Sequence, residues 1–394
     1  GAMMAEARGY IEGYYGKLLT WDERARLLKQ MQQLGMTGYL YAPKEDALHR
    51  WQWRIPYNAD WTSRFAAFAK AAAAAQIELV AGIAPGLDFD FASLGPDASQ
   101  SGDAAGCDAV GGDLVLLLAK ARHLLAAGAT GIALLMDDID ADFATRCGAF
   151  TSEGVAHATL ANRLAAAVPV PVMLVPRIYA DSLIQPDDLQ SIGYLADVTA
   201  VLAPSVRLVY CGDDIVAHRP GGDAAGLVNP REVMVWDNFY ANDYCPRRLF
   251  VGPWRARGHH QSLWLNPTGM IETDLLLLAI MEESRDVDSD AARHAAWDRV
   301  MAAHDVPEAF RVVAGFFDAP YGFEPAFTLP DTAAALVALD QLLWRWKSPL
   351  QREWYPLLMG LKHDLAIGDN TLPLIRLQKT QLAPLSMRLD DASR

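Results

Sequence analysis

The chain has 394 residues and a formal net charge of −14, from 34 Lys and Arg against 48 Asp and Glu. Hydrophobic residues make up 52% of it and charged residues 21%, which is typical of a packed globular protein and excludes a disordered or collagen-like chain. Because so acidic a surface repels phosphate backbones and anionic lipid headgroups, we expect neither nucleic acid nor a membrane surface as a partner.

Eight short apolar runs, separated by turns and helical stretches, predict β-strands along the first part of the chain. Among the helices between them, TWDE at residues 20–23 matches a capping box and residues 60–75 are rich in alanine. Eight such units in roughly 260 residues predict a (β/α)8 barrel of the TIM type. The alternative is an open doubly wound sheet, which is disfavoured because GYYG at residues 13–16 lacks the G-x-G-x-x-G pattern of a dinucleotide site. The predicted strands are residues 8–12, 38–42, 78–83, 131–136, 170–175, 206–210, 232–236 and 263–265.

After about residue 271 the pattern changes to amphipathic helices, predicted at residues 275–282, 291–303, 332–346 and 349–365. We therefore predict three regions: a tag remnant and tail at residues 1–7, a catalytic barrel at 8–270 and a helical domain at 271–394. Three tryptophans of the helical domain, Trp344, Trp346 and Trp354, are interpreted as packing residues, with an aromatic ridge beside a substrate groove as the alternative. We expect a homodimer to form through this domain.

The four cysteines are far apart in sequence and form no CxxC pair, so their spacing indicates neither a zinc site nor a disulfide framework. This pattern favours a reducing compartment. No apolar run is long enough to span a membrane, and the first residues lack the features of a signal peptide. We expect a soluble, cytoplasmic protein. A segment rich in Gly, Ala, Ser and Asp at residues 93–112 predicts a mobile loop.

Polar residues follow the predicted strands, at the ends where a (β/α)8 barrel has its active site. The sharpest case is LLMDDID at residues 134–140, where an apolar strand ends in the adjacent carboxylates Asp137 and Asp138. Two carboxylates so close do not both ionise readily, so we expect one to have a raised pKa and act as a proton donor while the other stays anionic. Two alternatives remain open: a divalent-metal site that also uses Asp140, and a turn that only solvates its carboxylates.

Neighbouring residues at one strand end are badly placed to flank a sugar as the two carboxylates of an ordinary retaining glycosidase do. They are better placed to hold one side of a 2-acetamido sugar, with one carboxylate on the amide N–H and the other on the glycosidic oxygen. The acetamide oxygen of the substrate would then be the nucleophile and form an oxazoline intermediate, with retention of configuration.

Five motifs in order along the chain resemble family 84 of the glycoside hydrolases, the family of the O-GlcNAcases and bacterial β-N-acetylglucosaminidases. They are GYIEGYYG at residues 9–16, YLYAPKED at 39–46, APGLD at 84–88, MDDID at 136–140 and WDNFYANDY at 236–244. RLFVGP at 248–253 and the Asn-Pro at 266–267 extend the resemblance, which covers roughly residues 8–269.

The resemblance implies a role for each matching position. Asp137 would orient and polarise the acetamido group, and Asp138 would be the general acid and then the general base. Tyr179 would hydrogen-bond near the reacting oxygen and Trp236 would form a wall of the acetamide pocket. The remaining sugar-binding positions are Gly13, Lys44 on the 3-hydroxyl side, Cys211, Ile215, Asn238, Asp243 on the 4- and 6-hydroxyls, and Asn266.

The chain departs from the family pattern at two places that shape the acetamide pocket. It has Cys211-Gly212 where the family usually has Thr-Gly, and VPRIY at residues 175–179 where the family usually has CPTEY. The resemblance implies a retaining β-N-acetylglucosaminidase that needs no metal or organic cofactor and acts on N-acetylglucosamine carried by a glycoprotein or glycopeptide. The alternatives are a metal-dependent, Asp-rich transferase or hydrolase and a glycan-binding protein without activity.

Overall fold

The structure, a computed structural model, describes residues 6–95, 111–222 and 232–369. Its centre is a closed barrel of eight parallel strands that follow one another in chain order. The predicted (β/α)8 barrel is therefore confirmed, and the closed sheet excludes the open doubly wound alternative. The strands are β1 Ala7–Glu12, β2 Gly38–Tyr41, β3 Glu78–Ile83, β4 Gly131–Leu135, β5 Val172–Val175, β6 Arg207–Tyr210, β7 Met234–Asp237 and β8 Ser262–Leu265.

The barrel closes where β1 pairs with β8, and one row of paired residues runs across β2, β1 and β8. Gly9 lies opposite Gly38 on one side and opposite Trp264 on the other. A Cβ atom would lie 2.3 Å from the Trp264 indole at Gly9 and 2.1 Å from it at Gly38, so the indole occupies the space that two side chains would need. The buried Trp264 thus fills the barrel interior together with other core residues, such as Ile11, Ala133 and Met234.

Five helices lie between the first six strands: α1 Trp21–Leu34, α2 Ala59–Ala74, α3 Gly112–Ala126, α4 Glu153–Ala167 and α5 Leu189–Val201. The predicted capping box begins α1, where the Thr20 amide donates to Glu23 Oε1 at 2.8 Å and the Glu23 amide donates to Thr20 Oγ1 at 3.1 Å. The alanine-rich helix is confirmed as α2, with Asn58 as its N-cap.

The strand–helix pattern does not extend around the whole barrel. Between β7 and β8 the chain has no helix, because this segment contains Pro246, Pro253, Gly252 and Gly258, which interrupt helical backbone. The fifth strand also begins two residues later than predicted, since Pro171 has no amide hydrogen to donate to the sheet.

The helices after the barrel are α6 Ile271–Glu283, α7 Asp290–Ala303, α8 Ala309–Val313, α9 Thr332–Asp340 and α10 Pro349–Asp369. They confirm the predicted helical region, although α9 changes to a π-turn at Gln341–Arg345 and α8 was not predicted. Glu353 caps the start of α6 by accepting the Glu272 and Thr273 amides at 2.9 and 2.8 Å.

The three tryptophans of this region differ in exposure. Trp354 is fully buried and Trp346 is 8% exposed, as expected of packing residues. Trp344 is 54% exposed, so its interpretation as a packing residue was wrong. It lies on the π-turn, where the helical periodicity that would turn this position inward is interrupted.

The chain divides into two compact units. The first holds the described residues up to Asn238 together with Arg257–Asn266, and the second holds Phe239–Ala256 and the described residues from 267 onward. The boundary at residue 270 stays a prediction.

Most of the predicted mobile loop lies outside the described residues, and its first residues belong to a 3-10 turn, Phe91–Leu94. Within the described ranges, no helix combines the length and apolar composition that crossing a membrane requires.

Candidate active site

Polar side chains from several strand ends meet at the carboxyl end of the barrel, where the first compact unit holds all the residues predicted for the site except Asp243. Lys44 follows β2, Asp137 and Asp138 follow β4, and Tyr179 follows β5. Gly13, Cys211, Asn238 and Asn266 directly follow β1, β6, β7 and β8. Because parallel strands in a barrel end on the same face, positions far apart in sequence become neighbours there.

Asp137 and Lys44 form a buried ion pair. Lys44 Nζ donates to Asp137 Oδ2 at 3.0 Å, and the side chains of Lys44 and Asp137 are 3% and 8% exposed, respectively. Burial acts to raise the pKa of Asp137, but the charges of Lys44 and Arg50 and the Lys44 hydrogen bond outweigh it and hold the pKa below its ordinary value. Of the two adjacent carboxylates, Asp137 is therefore the one that stays anionic. Its other oxygen, Oδ1, is buried and accepts no hydrogen bond from the described residues.

Asp138 points toward solvent and accepts hydrogen bonds from two tyrosines. Tyr179 Oη donates to Oδ1 at 2.5 Å, and Tyr15 Oη donates to Oδ2 at 3.0 Å. Burial, followed by the charge of Asp138, raises the pKa of both phenols, so both keep their protons and act as donors. The two hydroxyls fix the direction of the Asp138 carboxylate beside the buried Asp137.

A chain of amide groups lies on the opposite side of the barrel mouth. The Gly13 amide donates to Asn266 Oδ1 at 3.2 Å, and Asn266 Nδ2 donates to Asn238 Oδ1 at 3.0 Å. Trp236 Nε1 donates to the same Asn238 oxygen at 2.9 Å, and Asn238 Nδ2 donates to the Ile215 carbonyl at 2.9 Å. Each side chain is held by its neighbours, so the ends of β1, β7 and β8 and the loop after β6 share one hydrogen-bonded arrangement.

Gly13 and Trp236 bound the space between the amide chain and the ion pair. A Cβ atom at Gly13 would lie 2.6 Å from Trp236 Cη2, so only glycine allows the backbone this close to the indole. The Lys44 ammonium is 5.9 Å from the centre of the Trp236 ring. The indole therefore presents an apolar wall next to charged groups, which suits a ligand with both a methyl and an amide.

Cys211 and Ile215 differ in their exposure. Cys211 is buried, and burial raises the pKa of its thiol well above the ordinary value, so the thiol is neutral. Asn238 Nδ2 is 3.6 Å from its sulfur. The Ile215 side chain is 37% exposed, and its backbone carbonyl supplies the contact to Asn238. Asp243 belongs to the second compact unit and is partly buried there.

Other polar residues at the strand ends are engaged in contacts within the barrel. Glu12 accepts two hydrogen bonds from Arg24 at 2.8 Å, and Asp237 accepts two from Arg257 at 2.9 and 3.0 Å. These carboxylates tie the strand ends to neighbouring segments. Asp88 likewise accepts hydrogen bonds from Arg54 and Trp53.

Two residues at the site were not predicted, Tyr15 and Arg50. Tyr15 lies inside the GYIEGYYG motif, and the repeated tyrosine was the available signal for it. Arg50 Nη2 donates to the backbone oxygen of Asp138 at 2.8 Å across 88 residues of sequence, and no local pattern predicts this contact. Among the described residues, no group of three His, Cys, Asp or Glu side chains is arranged to hold a metal ion.

Three comparisons relate the chain to known proteins. A family model described as beta-N-acetylglucosaminidase matches residues 8–311. The chain is 29% identical over 258 residues to proteins of mouse (Mus musculus) and rat (Rattus norvegicus), both named Protein O-GlcNAcase. Each alignment covers 63% of this chain and 26% of the relative, so the chain spans about a quarter of the length of these relatives.

Among solved structures, the chain is similar to a mutant of the O-GlcNAc hydrolase of Thermobaculum terrenum. The TM-score is 0.72 at 20% sequence identity, and the match covers 98% of this chain and 90% of that chain. At this identity the likeness shows a shared fold.

Proposed function

The chain belongs to the beta-N-acetylglucosaminidase family, and we propose that it is a retaining enzyme that removes terminal O-linked N-acetylglucosamine through an oxazoline intermediate. The family match confirms the resemblance inferred from the motifs. The observation that carries the proposal is the buried, anionic Asp137 with a free hydrogen-bond position at Oδ1, directly beside the more exposed carboxylate of Asp138.

In this proposal Asp137 binds the acetamido group of the substrate. Its Oδ1 atom accepts the amide N–H, and Lys44 keeps the carboxylate ionised through Oδ2. Hydrogen bonding to an anion increases the electron density on the acetamide oxygen, which attacks the anomeric carbon as the glycosidic bond breaks. The positive charge that develops on the amide is stabilised by Asp137, and this interaction is stronger in the transition state than in the bound substrate.

Asp138 transfers the protons in this mechanism. In the first step it donates a proton to the glycosidic oxygen, so that the aglycone leaves as a neutral alcohol. In the second step its carboxylate accepts a proton from the water that attacks the anomeric carbon and opens the oxazoline. Two displacements at the same carbon retain the configuration. Tyr15 and Tyr179 support the role by orienting the carboxylate.

The remaining predicted residues bind the sugar in this proposal. Trp236 and Cys211 border the acetamide methyl, with Ile215 at the exposed edge. Asn238, Asn266 and the backbone of Gly13 present amide donors and acceptors to the sugar, since hydroxyl groups need both. The resemblance assigns Lys44 to the 3-hydroxyl side and Asp243 to the 4- and 6-hydroxyls. No metal or organic cofactor takes part.

We propose a glycoprotein or glycopeptide as the substrate, with the sugar on Ser or Thr. The names of the mouse and rat relatives support this class. The test compares kcat/KM on an O-GlcNAc peptide, on chitobiose and on an aryl N-acetylglucosaminide, with the anomer of the first product identified by NMR. We expect the β-anomer and a preference for the peptide over chitobiose. The opposite preference contradicts the substrate class, and an initial α-anomer contradicts the mechanism.

The metal-dependent alternative is tested in the same assay. We expect activity to survive dialysis against EDTA because neither proposed step uses a metal ion. Loss of activity that returns on adding a divalent cation would favour the alternative in which Asp137, Asp138 and Asp140 are metal ligands.

Replacing Lys44 with methionine should move the acid limb of the pH profile. Asp137 acts as the carboxylate, so activity is present above its pKa and lost as the pH falls through it. Without Lys44, burial raises that pKa, and the acid limb of kcat/KM moves upward by about 1–3 pH units. The profile of Lys17→Met, at an exposed lysine after β1, serves as the control. An unmoved acid limb in Lys44→Met would contradict the assigned role of the ion pair.

We also propose that the protein forms a homodimer through the helical region and acts in the cytoplasm. The exposed, neighbouring rings of Trp344 and Tyr355 support the first proposal, because solvent-exposed aromatic pairs are common at interfaces. Light scattering tests it, and a monomer mass at every concentration contradicts it.

Cys147 and Cys211 form no disulfide, which supports a reducing compartment. Recovery of the protein outside the cytoplasm on cell fractionation would contradict the location.

A further inference from the structure

The backbone of Asp138 has an unusual conformation. Its φ angle is 54°, in the left-handed region. In this region the Cβ atom of an L-residue crowds its own peptide unit, so a residue other than glycine stays there only when its surroundings hold it. The conformation turns the chain directly after Asp137 and determines the direction in which the Asp138 carboxylate leaves the strand end.

Arg50 holds this backbone from the neighbouring loop. Its Nη2 atom donates to the carbonyl oxygen of Asp138 at 2.8 Å, and the arginine side chain is buried. Hydrogen bonds from a charged donor are roughly twice as strong as neutral ones. The peptide after Asp138 therefore has a strong partner in its present orientation, and rotation toward an unstrained φ would break that contact.

Arg50 approaches from a loop that is itself fixed. His49 Nδ1 donates to the Gly82 carbonyl at 2.7 Å, and the Ala84 amide donates to the His49 carbonyl at 2.9 Å. These bonds attach the loop to the end of β3. The same loop, residues 43–57, carries Lys44, so one segment contacts both aspartates: the carboxylate of Asp137 through Lys44 and the backbone carbonyl of Asp138 through Arg50.

We propose that Arg50 is a positioning residue that holds Asp138 in the left-handed conformation needed for proton transfer to the glycosidic oxygen. The proposal rests on the function assigned to Asp138 above. Arg50 does not touch the substrate in this account. Its hydrogen bond acts on the backbone of Asp138, while Tyr15 and Tyr179 act on the carboxylate. The charge of Arg50 also lowers the pKa of Asp137, so the rates are compared at a pH above the acid limb of each variant, where Asp137 is ionised.

The test measures kcat/KM of Arg50→Met on aryl N-acetylglucosaminides whose leaving groups range from good to poor. Good leaving groups need no proton and should react within about threefold of the wild-type rate, since acid catalysis contributes little to them. Poor leaving groups need a correctly placed acid and should lose about 100-fold, the usual effect of misplacing a catalytic group by about 1 Å. Arg50→Lys, which keeps a charged donor, should recover part of that loss.

Arg54→Met is the matched control. Arg54 lies in the same loop, but its guanidinium binds Asp88 and Asp113, so its loss should leave the dependence on leaving group unchanged. Thermal unfolding is recorded for each variant. If Arg50→Met does not fold, Arg50→Lys is compared with Arg50→Gln. The lysine keeps a charged hydrogen-bond donor, and the glutamine keeps a neutral one.

The outcomes separate this proposal from the proposed function. An equal loss on all leaving groups in the Arg50 variants, together with a selective loss in Asp138→Asn, overturns the positioning role and leaves the function of Asp138 intact. An equal loss in Asp138→Asn removes Asp138 as the acid, and the proposal for Arg50 is overturned with it. A selective loss in both, but not in Arg54→Met, is the expected result.

Discussion

Replacing Asp137 with asparagine is expected to lower kcat/KM about 10³-fold, and by the same factor on activated aryl glycosides and on glycopeptides. The amide keeps the shape of the side chain but removes the negative charge that stabilises the acetamide as it becomes positive, and preorganised charges of this kind contribute about 10²–10³-fold or more. The effect does not depend on the leaving group, because Asp137 acts on the nucleophile. Steady-state kinetics on both substrate classes measure it.

The same substitution leaves the Lys44 ammonium buried without its anionic partner, which costs about 3–5 kcal/mol of unfolding free energy. The double variant Asp137→Asn with Lys44→Met removes the unpaired charge and should recover part of that stability, but none of the activity. This result separates the chemical effect from the structural one. An aryl glycoside rate that is unaffected in the folded Asp137→Asn variant would remove Asp137 from the mechanism.

Replacing Asp138 with asparagine should instead discriminate between leaving groups. A peptide serine is a poor leaving group and needs a proton, so kcat/KM on glycopeptides should fall about 10²–10⁴-fold. The aglycone of an aryl glycoside with a strongly acidic phenol leaves as an anion and needs no proton. Because kcat/KM reports the first step, we expect its value on this substrate to change little. The kcat on the same substrate should fall, because opening of the oxazoline still requires a base.

Asp140→Asn is the matched control for Asp138→Asn. Asp140 is an exposed carboxylate two residues further along the chain, and neither proposed step uses it, so we expect less than about a twofold change, as for an ordinary surface substitution. A large loss of activity in Asp140→Asn, in proportion to a loss of bound metal, would favour the metal-dependent alternative. Equal losses on both substrate classes in Asp138→Asn would refute Asp138 as the acid.

The barrel was predictable because its strands are short apolar runs with local boundaries. Counting them was enough to predict the fold, and the strand ends then indicated where Asp137, Lys44 and Asn266 would meet. The segment between β7 and β8 and the exposure of Trp344 were not predicted. The first depends on several prolines and glycines in combination, and the second on a π-turn that sequence periodicity does not indicate.

The electrostatics of the site shows what local reasoning misses. Two adjacent carboxylates predict one raised pKa and one carboxylate that stays anionic, and the lowered pKa of Asp137 agrees with the anionic member, although repulsion is not what lowers it. The cause is Lys44, which lies 93 residues away in sequence and 3.0 Å away in space. The contact of Arg50 with Asp138 is of the same kind. Contacts between loops depend on the closed barrel, so they follow from the fold and not from any single motif.

The row of residues that closes the barrel limits how this sequence can diverge. The Trp264 indole lies over Gly9 and Gly38, and a side chain at either glycine would overlap it. A mutation at one of these positions is therefore tolerated only after Trp264 has become a smaller residue, and such a change alone leaves a cavity in the barrel interior. We therefore expect the three positions to change together in related sequences, with the intermediate sequence encoding a less stable protein.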